Sequence, residues 1–357
     1  MMGLAIFAAV LGMAYLGVAL FRRFGISNQL LDIPNERSSH THPTPHGAGL
    51  VIVILSLLAY IPISLFASGS VSWGYFGGAL CIALISFLDD IRPIPFFWRL
   101  IIQSAAAIVL IADLETWHGI TMLGKLNLGS LGYVLTFVWV VWMVNAYNFM
   151  DGIDGLAGLQ AVIAGIGWLL VGLIQQDPSL YLYAGIIAAA SMGFLLHNWR
   201  PSNIFMGDVG SAFLGFTFAA LPLLSREHVS HSPDLLPIAA VLFVWFVLFD
   251  AMVTVLRRLV RGENIFLAHR EHLFQRLVSS GLTHRRVTLL YGVLATLLSL
   301  SVLISVKFRN DIGLAMFPVV LILSSLLLLI CFRRKVLGQY SSSIDGSPKN
   351  LELPSPE

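Results

Sequence analysis

Three observations predict an all-α, polytopic membrane protein. The chain is 57% hydrophobic and only 11% charged, where a soluble domain of this size needs a far more polar shell. Its apolar residues fall in repeated runs of roughly 16–22, long enough to cross about 30 Å of hydrocarbon as helices. Its basic residues collect in alternate connections, as the positive-inside rule requires.

Taken in order, the spans lie near residues 2–21, 48–68, 72–88, 99–113, 129–147, 156–174, 179–196, 210–224, 235–256, 287–306 and 311–332, about 11 transmembrane helices. The first run precedes Arg22 and Arg23 instead of following a basic stretch. It therefore reads as a retained span entering with its N-terminus outside. Alternation from there puts 17 of the 21 basic residues on one face and only Lys125, Arg226, Lys307 and Arg309 on the other. The first face is expected to be cytoplasmic, and with an odd span count so is the C-terminus. Residues 1–335 form one multi-pass domain, and the Ser/Pro-rich stretch 336–357 reads as a disordered tail. Cys81 and Cys331 lie in or at the end of spans and suggest neither disulfide nor metal site. The net charge of +2 adds little to the asymmetry, and no nucleic-acid partner is expected.

Hydrocarbon does not tolerate a run of carboxylates and carboxamides, so polar groups between spans mark a water-facing site. The loop DIPNERSSHTHPTPHGAG offers Arg37, His40 and His46 to a phosphate, though a solvated connector explains it equally well. FLDD ends the third span with Asp89 and Asp90, a pair whose mutual repulsion suits a base or calls for a cation. In VNAYNFMDGIDGLAG, Asn145, Asn148, Asp151 and Asp154 recur every three residues. On a helix, or more closely on a tight helical turn, such residues form one row. The glycines between them permit a close approach or simply a turn.

In NWRPSNIFMGDVGS, Asp208 stands at the start of an apolar helix, placed to bind a metal or to cap backbone amides. Phe205 offers its ring to a flat ligand or to packing. Asp250 is an intramembrane acid and hence a functional candidate, with no partner legible in the sequence. The segment RRLVRGENIFLAHREHLFQRL holds Arg270 and His272, suited to anionic oxygens, while Arg257 and Arg258 are mostly topological. Asp89, Asp90, Asn145, Asn148, Asp151, Asp154, Asn198 and Asp208 all fall on the face assigned as cytoplasmic. The charge count made no use of them.

The combination of FLDD, NAYNFMDGIDGLAG, NWRPSNIFMGDVGS and HREHLFQRL over roughly residues 30–285 resembles the polyprenyl-phosphate N-acetylhexosamine-1-phosphate transferases, glycosyltransferase family 4, in the branch that initiates O-antigen and other lipid-carrier glycans. The resemblance implies transfer of an N-acetylhexosamine 1-phosphate from a UDP-sugar to undecaprenyl phosphate, with release of UMP, in a bacterial inner membrane. It implies Mg2+, with Mn2+ as a substitute, held by Asn148 and Asp208. It gives catalytic roles to Asp89, Asp90, Asp151 and Asp154, and substrate contacts to Asn145, Asn198, Phe205, Arg270 and His272. A homodimer is compatible with it.

Two departures point to a sub-branch, with a 6-deoxyhexosamine as an alternative sugar. Of the family's Asp-Arg-x-His-x-His-His loop only Arg270 and His272 remain, and His46 and Ala48 replace the more usual Pro-Arg-Gly-Gly. Two rivals come from other classes. A secondary transporter would place its ionisable groups near the midplane, where only Asp250 qualifies. A CDP-alcohol phosphotransferase would carry an acid-glycine-alanine-arginine signature, which the chain lacks.

Overall fold

The computed structural model describes residues 2–34, 42–117, 119–121, 125–199, 201–225, 235–264, 271–308 and 318–330. Within them the protein is a helical bundle. Its long helices are α1 (Met2–Ser27), α2 (Gly49–Ala67), α3 (Trp73–Ile91), α4 (Phe96–Leu114), α5 (Leu131–Phe149), α6 (Leu156–Gln175), α7 (Pro178–Asn198) and α8 (Asp208–Leu224). These are followed by α9 (Leu236–Phe243), α10 (Trp245–Val260), the short α11 (Leu273–Ser279), α12 (His284–Phe308) and α13 (Pro318–Ile330). Two antiparallel ribbons complete the elements: β1 (Leu31–Asp32) with β2 (Thr44–Pro45), and β3 (Gly119–Thr121) with β4 (Lys125–Asn127).

Each of the eleven predicted apolar runs overlaps a helix among the described residues. Among the described residues eight helices are long and apolar enough to cross a membrane, nine if the pair α9 and α10 is one span, while α8 and α13 are shorter, so the count of eleven spans is not confirmed. The run at 235–256 is not one rod. It breaks at Val244, where α9 and α10 meet at 72°. Conversely, the run at 99–113 is part of a full 19-residue helix that begins after Pro95, because proline is tolerated where the helical amides are still unpaired.

α8 is buried from Val209 to Leu223, and α7 has 72% of its most apolar stretch buried, against 17% for the lipid-facing α1. The small residues of α7 let neighbouring backbones close in. A Cβ on Gly193 would lie 2.6 Å from Ala14 Cβ and 2.7 Å from the Leu11 carbonyl. The same device joins α2 to α8, where a Cβ on Gly49 would meet Gly210 Cα at 2.3 Å.

Side chains cap the helices at the end of the bundle away from the acidic clusters. Asp177 precedes Pro178 and accepts from the Leu180 amide (3.1 Å) and the Ser225 hydroxyl (2.8 Å). Ser72 accepts from the Tyr75 amide at 3.1 Å and bonds Asp113 across to α4.

At the opposite end five connections touch one another. The Phe205 amide donates to the Pro45 carbonyl (2.8 Å), and the Ala48 and Gly49 amides donate to the Phe205 (3.1 Å) and Met206 (2.8 Å) carbonyls. Ser202 reaches Asp154 (2.9 Å), whose other oxygen lies 3.4 Å from His284 Nδ1. Every acidic cluster singled out in the sequence is therefore at one end of the molecule.

Candidate active site

Asp89 and Asp90 are adjacent but do different work. Asp89 accepts from the Ile94 amide (2.6 Å), which closes the α3–α4 turn, and from Arg99 Nη1 (2.5 Å). Asp90 spends both oxygens on the start of α8, accepting from the amides of Asp208 (2.8 Å) and Val209 (3.1 Å). Those amides have no partner within the helix, so Asp90 serves as a cap supplied from another helix. His46 Nδ1 stands 3.8 Å from Asp90, and that carboxylate raises the histidine above its ordinary pKa of 6.5.

Arg99, from the first turn of α4, uses the same Nη1 to reach Asp208 at 2.6 Å. One guanidinium nitrogen thus bridges two carboxylates brought from different connections. Its Nε is buried without a partner among the described residues.

Gly207 makes the junction possible. Its φ of 77° and ψ of 166° lie in a region open essentially to glycine alone. A Cβ there would meet Asp90 Oδ2 at 2.7 Å and Gly47 Cα at 2.8 Å.

The expected row of Asn145, Asn148, Asp151 and Asp154 does not form. α5 ends at Phe149 and the next helix begins only at Leu156, with Gly155 at φ 78° reversing the chain. The four groups consequently face different surroundings. Asn145 donates to Gln103 Oε1 of α4 (2.7 Å) and to its own helix at Val141 O (2.8 Å), tying two helices together. Asn148 is half-buried, and no hydrogen bond joins its carboxamide to a described residue. Asp151 faces Asp208, Asp90 and the Gly207 amide. Asp154 turns the other way, to Ser202 and His284, and is 7% exposed.

Asn198 is buried, with its Oδ1 accepting from the Gly155 amide (2.8 Å) and its Nδ2 donating to the Ile204 carbonyl (2.9 Å). Its carboxamide is committed to backbone, so it holds the two loops together. Phe205 is half-buried on the strip paired with Pro45 and Ala48. His272 is buried against Asp250 (3.0 Å) and stacks near Phe149 and Phe274. Arg270, like Arg37, His40, Cys331 and the tail, lies outside the described residues.

Burial first, then the charges of Asp208 and Asp90, push Asp151 up to about 8. Burial first, then Asp90, push Asp208 up to about 7, with Arg99 working in the opposite sense. Asp208 keeps 31% side-chain exposure, so water screens part of that repulsion. The cluster is short of positive charge.

Replacing Arg99 with Gln is therefore expected to raise Asp208 further and to cut turnover on the order of 10-fold or more. The check is the pH dependence of thermal stability read beside activity. An unmoved profile would show that the bridge carries no electrostatic weight.

Oxygen donors of this kind suit a hard divalent cation. Among the described residues no three His, Cys, Asp or Glu side chains form a ready cage. Mg2+ fits such a site better than a cage-bound metal does, since it is commonly held by one or two carboxylates together with water and substrate phosphates.

Sequence reasoning did not single out Arg99, Gly207 or the Asp250–His272 pair. Arg99 looked like one topological arginine among many, and the partner of Asp250 is 22 residues away.

Residues 72–226 match the profile described as Glycosyl transferase family 4. The chain is 32% identical to the undecaprenyl-phosphate alpha-N-acetylglucosaminyl 1-phosphate transferase of Haemophilus influenzae, over 86% of this chain and 88% of the relative. It is 33% identical to the protein of the same name in Pasteurella multocida, over 78% and 79%. It is 27% identical to the decaprenyl-phosphate N-acetylglucosaminephosphotransferase of Mycobacterium leprae, over 72% of each. With the acidic motifs gathered at one end of a membrane bundle, these similarities show that the chain belongs to glycosyl transferase family 4, the polyprenyl-phosphate N-acetylhexosamine-1-phosphate transferases.

Proposed function

We propose that the protein transfers N-acetylhexosamine 1-phosphate from a UDP-sugar to undecaprenyl phosphate, releasing UMP and leaving a diphosphate-linked lipid that starts a surface glycan such as O-antigen. The observation that carries this reading is the meeting of Asp89, Asp90, Asp151 and Asp208 with Arg99 where five connections join. The names of the relatives support N-acetylglucosamine as the sugar to test first.

Like charge is the main obstacle when a lipid phosphate approaches a diphosphate. Asp208 and Asn148 would hold Mg2+, or Mn2+ in its place, whose contribution is to offset charge on diphosphate oxygens. Both Asp90 oxygens are held by backbone amides of α8, whereas Asp89 shares its Oδ2 with the Arg99 side chain, so alignment of the acceptor phosphate falls to Asp89 and Arg99 together. Burial and the charges of Asp208 and Asp90 raise Asp151 to about 8, which favours its neutral form and lessens repulsion of an anionic substrate. Asp154 fixes the turn that carries Asp151 on the donor side. Attack at phosphorus leaves the sugar C1–O bond intact, so anomeric configuration is kept.

The site is read as facing the cytoplasm of a bacterial inner membrane with the N-terminus outside, where a soluble nucleotide-sugar and an interfacial lipid phosphate meet without charge crossing hydrocarbon. The test uses purified protein, undecaprenyl phosphate and labelled UDP-GlcNAc, with 6-deoxyhexosamine donors in parallel, with and without chelator. Expected are UMP release, a diphosphate-linked product by mass, and loss on chelation. Turnover only with CDP-linked donors, or solute uptake into proteoliposomes without nucleotide release, would refute the assignment.

A further inference from the structure

We infer that Asp250 is a positioning residue: through His272 and the first turn of α11 it fixes the surface that packs on the turn carrying Asp151. Asp250 lies on α10, six residues beyond the break at Val244, and is 0% exposed. Its Oδ1 accepts from His272 Nδ1 (3.0 Å) and the Leu273 amide (2.9 Å), with the Thr254 hydroxyl at 3.4 Å. Its Oδ2 accepts from the Phe274 amide (3.1 Å) and from the Tyr291 hydroxyl of α12 (2.6 Å). One carboxylate therefore joins α10, α11 and α12.

What it holds abuts the site. The His272 ring centre is 5.7 Å from that of Phe149, the last residue of α5. A Cβ on Gly152, next to Asp151, would meet the Phe274 ring at 3.0 Å and Gln275 Nε2 at 3.4 Å. The first turn of α11 is thus the wall against which the Asp151 turn rests.

No arginine or lysine ion pair to Asp250 is found among the described residues. A buried charge supported mainly by neutral donors is a poor device for stability alone, since apolar packing serves as well. It is a good device for orientation. A carboxylate behind a histidine sets which ring nitrogen carries the proton and the plane in which the ring lies. The Leu273 amide donates to the same Oδ1, so that oxygen is held between the His272 ring and the start of α11.

This assignment rests on the transferase reading above. The test compares Asp250→Asn, His272→Gln, the double variant and Tyr291→Phe in purified protein, measuring kcat, KM for each substrate and melting temperature. Asp250→Asn is expected to lose on the order of 10–100-fold in kcat/KM for the UDP-sugar, with KM for undecaprenyl phosphate unchanged. The double variant should be no slower than His272→Gln alone, the non-additivity of residues acting as one. Tyr291→Phe, which removes a donor without touching the histidine, should lower the melting temperature and leave the kinetic constants in place. Asp250→Glu, which keeps the charge one methylene away, should give the Asp250→Asn pattern at smaller size if that variant does not fold. Wild-type constants in any folded Asp250 variant overturn the inference, as do losses that multiply with His272→Gln or a Tyr291→Phe protein that copies Asp250→Asn. Inactive wild type overturns the substrate reading and this one together, whereas active wild type beside an unaltered variant overturns this one alone.

Discussion

Asp208→Asn should lose on the order of 10²–10³-fold in turnover and yet melt at a higher temperature than the wild type at pH 8. The two effects share a cause. Burial and the neighbouring Asp90 raise Asp208 from 3.8 to about 7, so between those values the folded protein binds more protons than the unfolded chain. Stability from this group accordingly falls as pH rises through that window and levels off above about 7. Asparagine carries no charge to repel, and Asp151, whose raised value owes most to burial and next to Asp208, drops in the same variant. The cap on α8 survives because Asp90 binds the backbone amide of residue 208, not its side chain. Mg2+ added at pH 8 should raise the melting temperature of the wild type and leave that of Asp208→Asn where it was. A variant that melts lower than the wild type at pH 8 would contradict the electrostatic account, and one with undiminished turnover would remove Asp208 from the reaction.

The second large effect is expected at Gly207. Alanine there must abandon φ 77° and ψ 166° or accept about 3 kcal/mol of strain. The added Cβ also meets Gly47 at backbone atoms, 2.8 Å from Cα and 2.9 Å from N. Relaxation is hard because both strips are pinned by the Ala48–Phe205 and Gly49–Met206 hydrogen bonds. Gly207→Ala should therefore lower the melting temperature and separate Asp90 from the amides it caps, reducing turnover by at least ~10²-fold. Thermal melting and transfer rate check both parts. Unchanged stability would mean the junction is looser than these distances state.

The acidic clusters were legible in the sequence because a carboxylate beside a membrane span is costly wherever it serves no purpose. The charge asymmetry of the loops placed them on one side, and the hydrogen bond from the Asp208 amide to Asp90 puts two of them in contact. The periodic row from Asn145 to Asp154 misled because spacing alone does not reveal where a helix stops; α5 ends at Phe149, and Gly155 at φ 78° reverses the chain. The break at Val244 falls within LFVWFV, with neither glycine nor proline to announce it. Arg99 resembled any basic residue at a membrane edge, and only the fold shows that it spans two carboxylates. Asn198 shows the converse: its motif was plain, while its commitment to the Gly155 amide and the Ile204 carbonyl depends on how two loops fold together.

The contact of Gly49 with Gly210, backbone against backbone, bears on how substrates are admitted. Helices separated by long side chains can slide as those chains change rotamer; helices whose main chains touch have no such lubricant. Below the acidic end, α2 and α8 form a stiff frame, so on the proposed reading room for a sugar nucleotide would come from side chains and loops. Specificity for one sugar over another would then be tuned by exchanging loop residues, with the frame kept as it is.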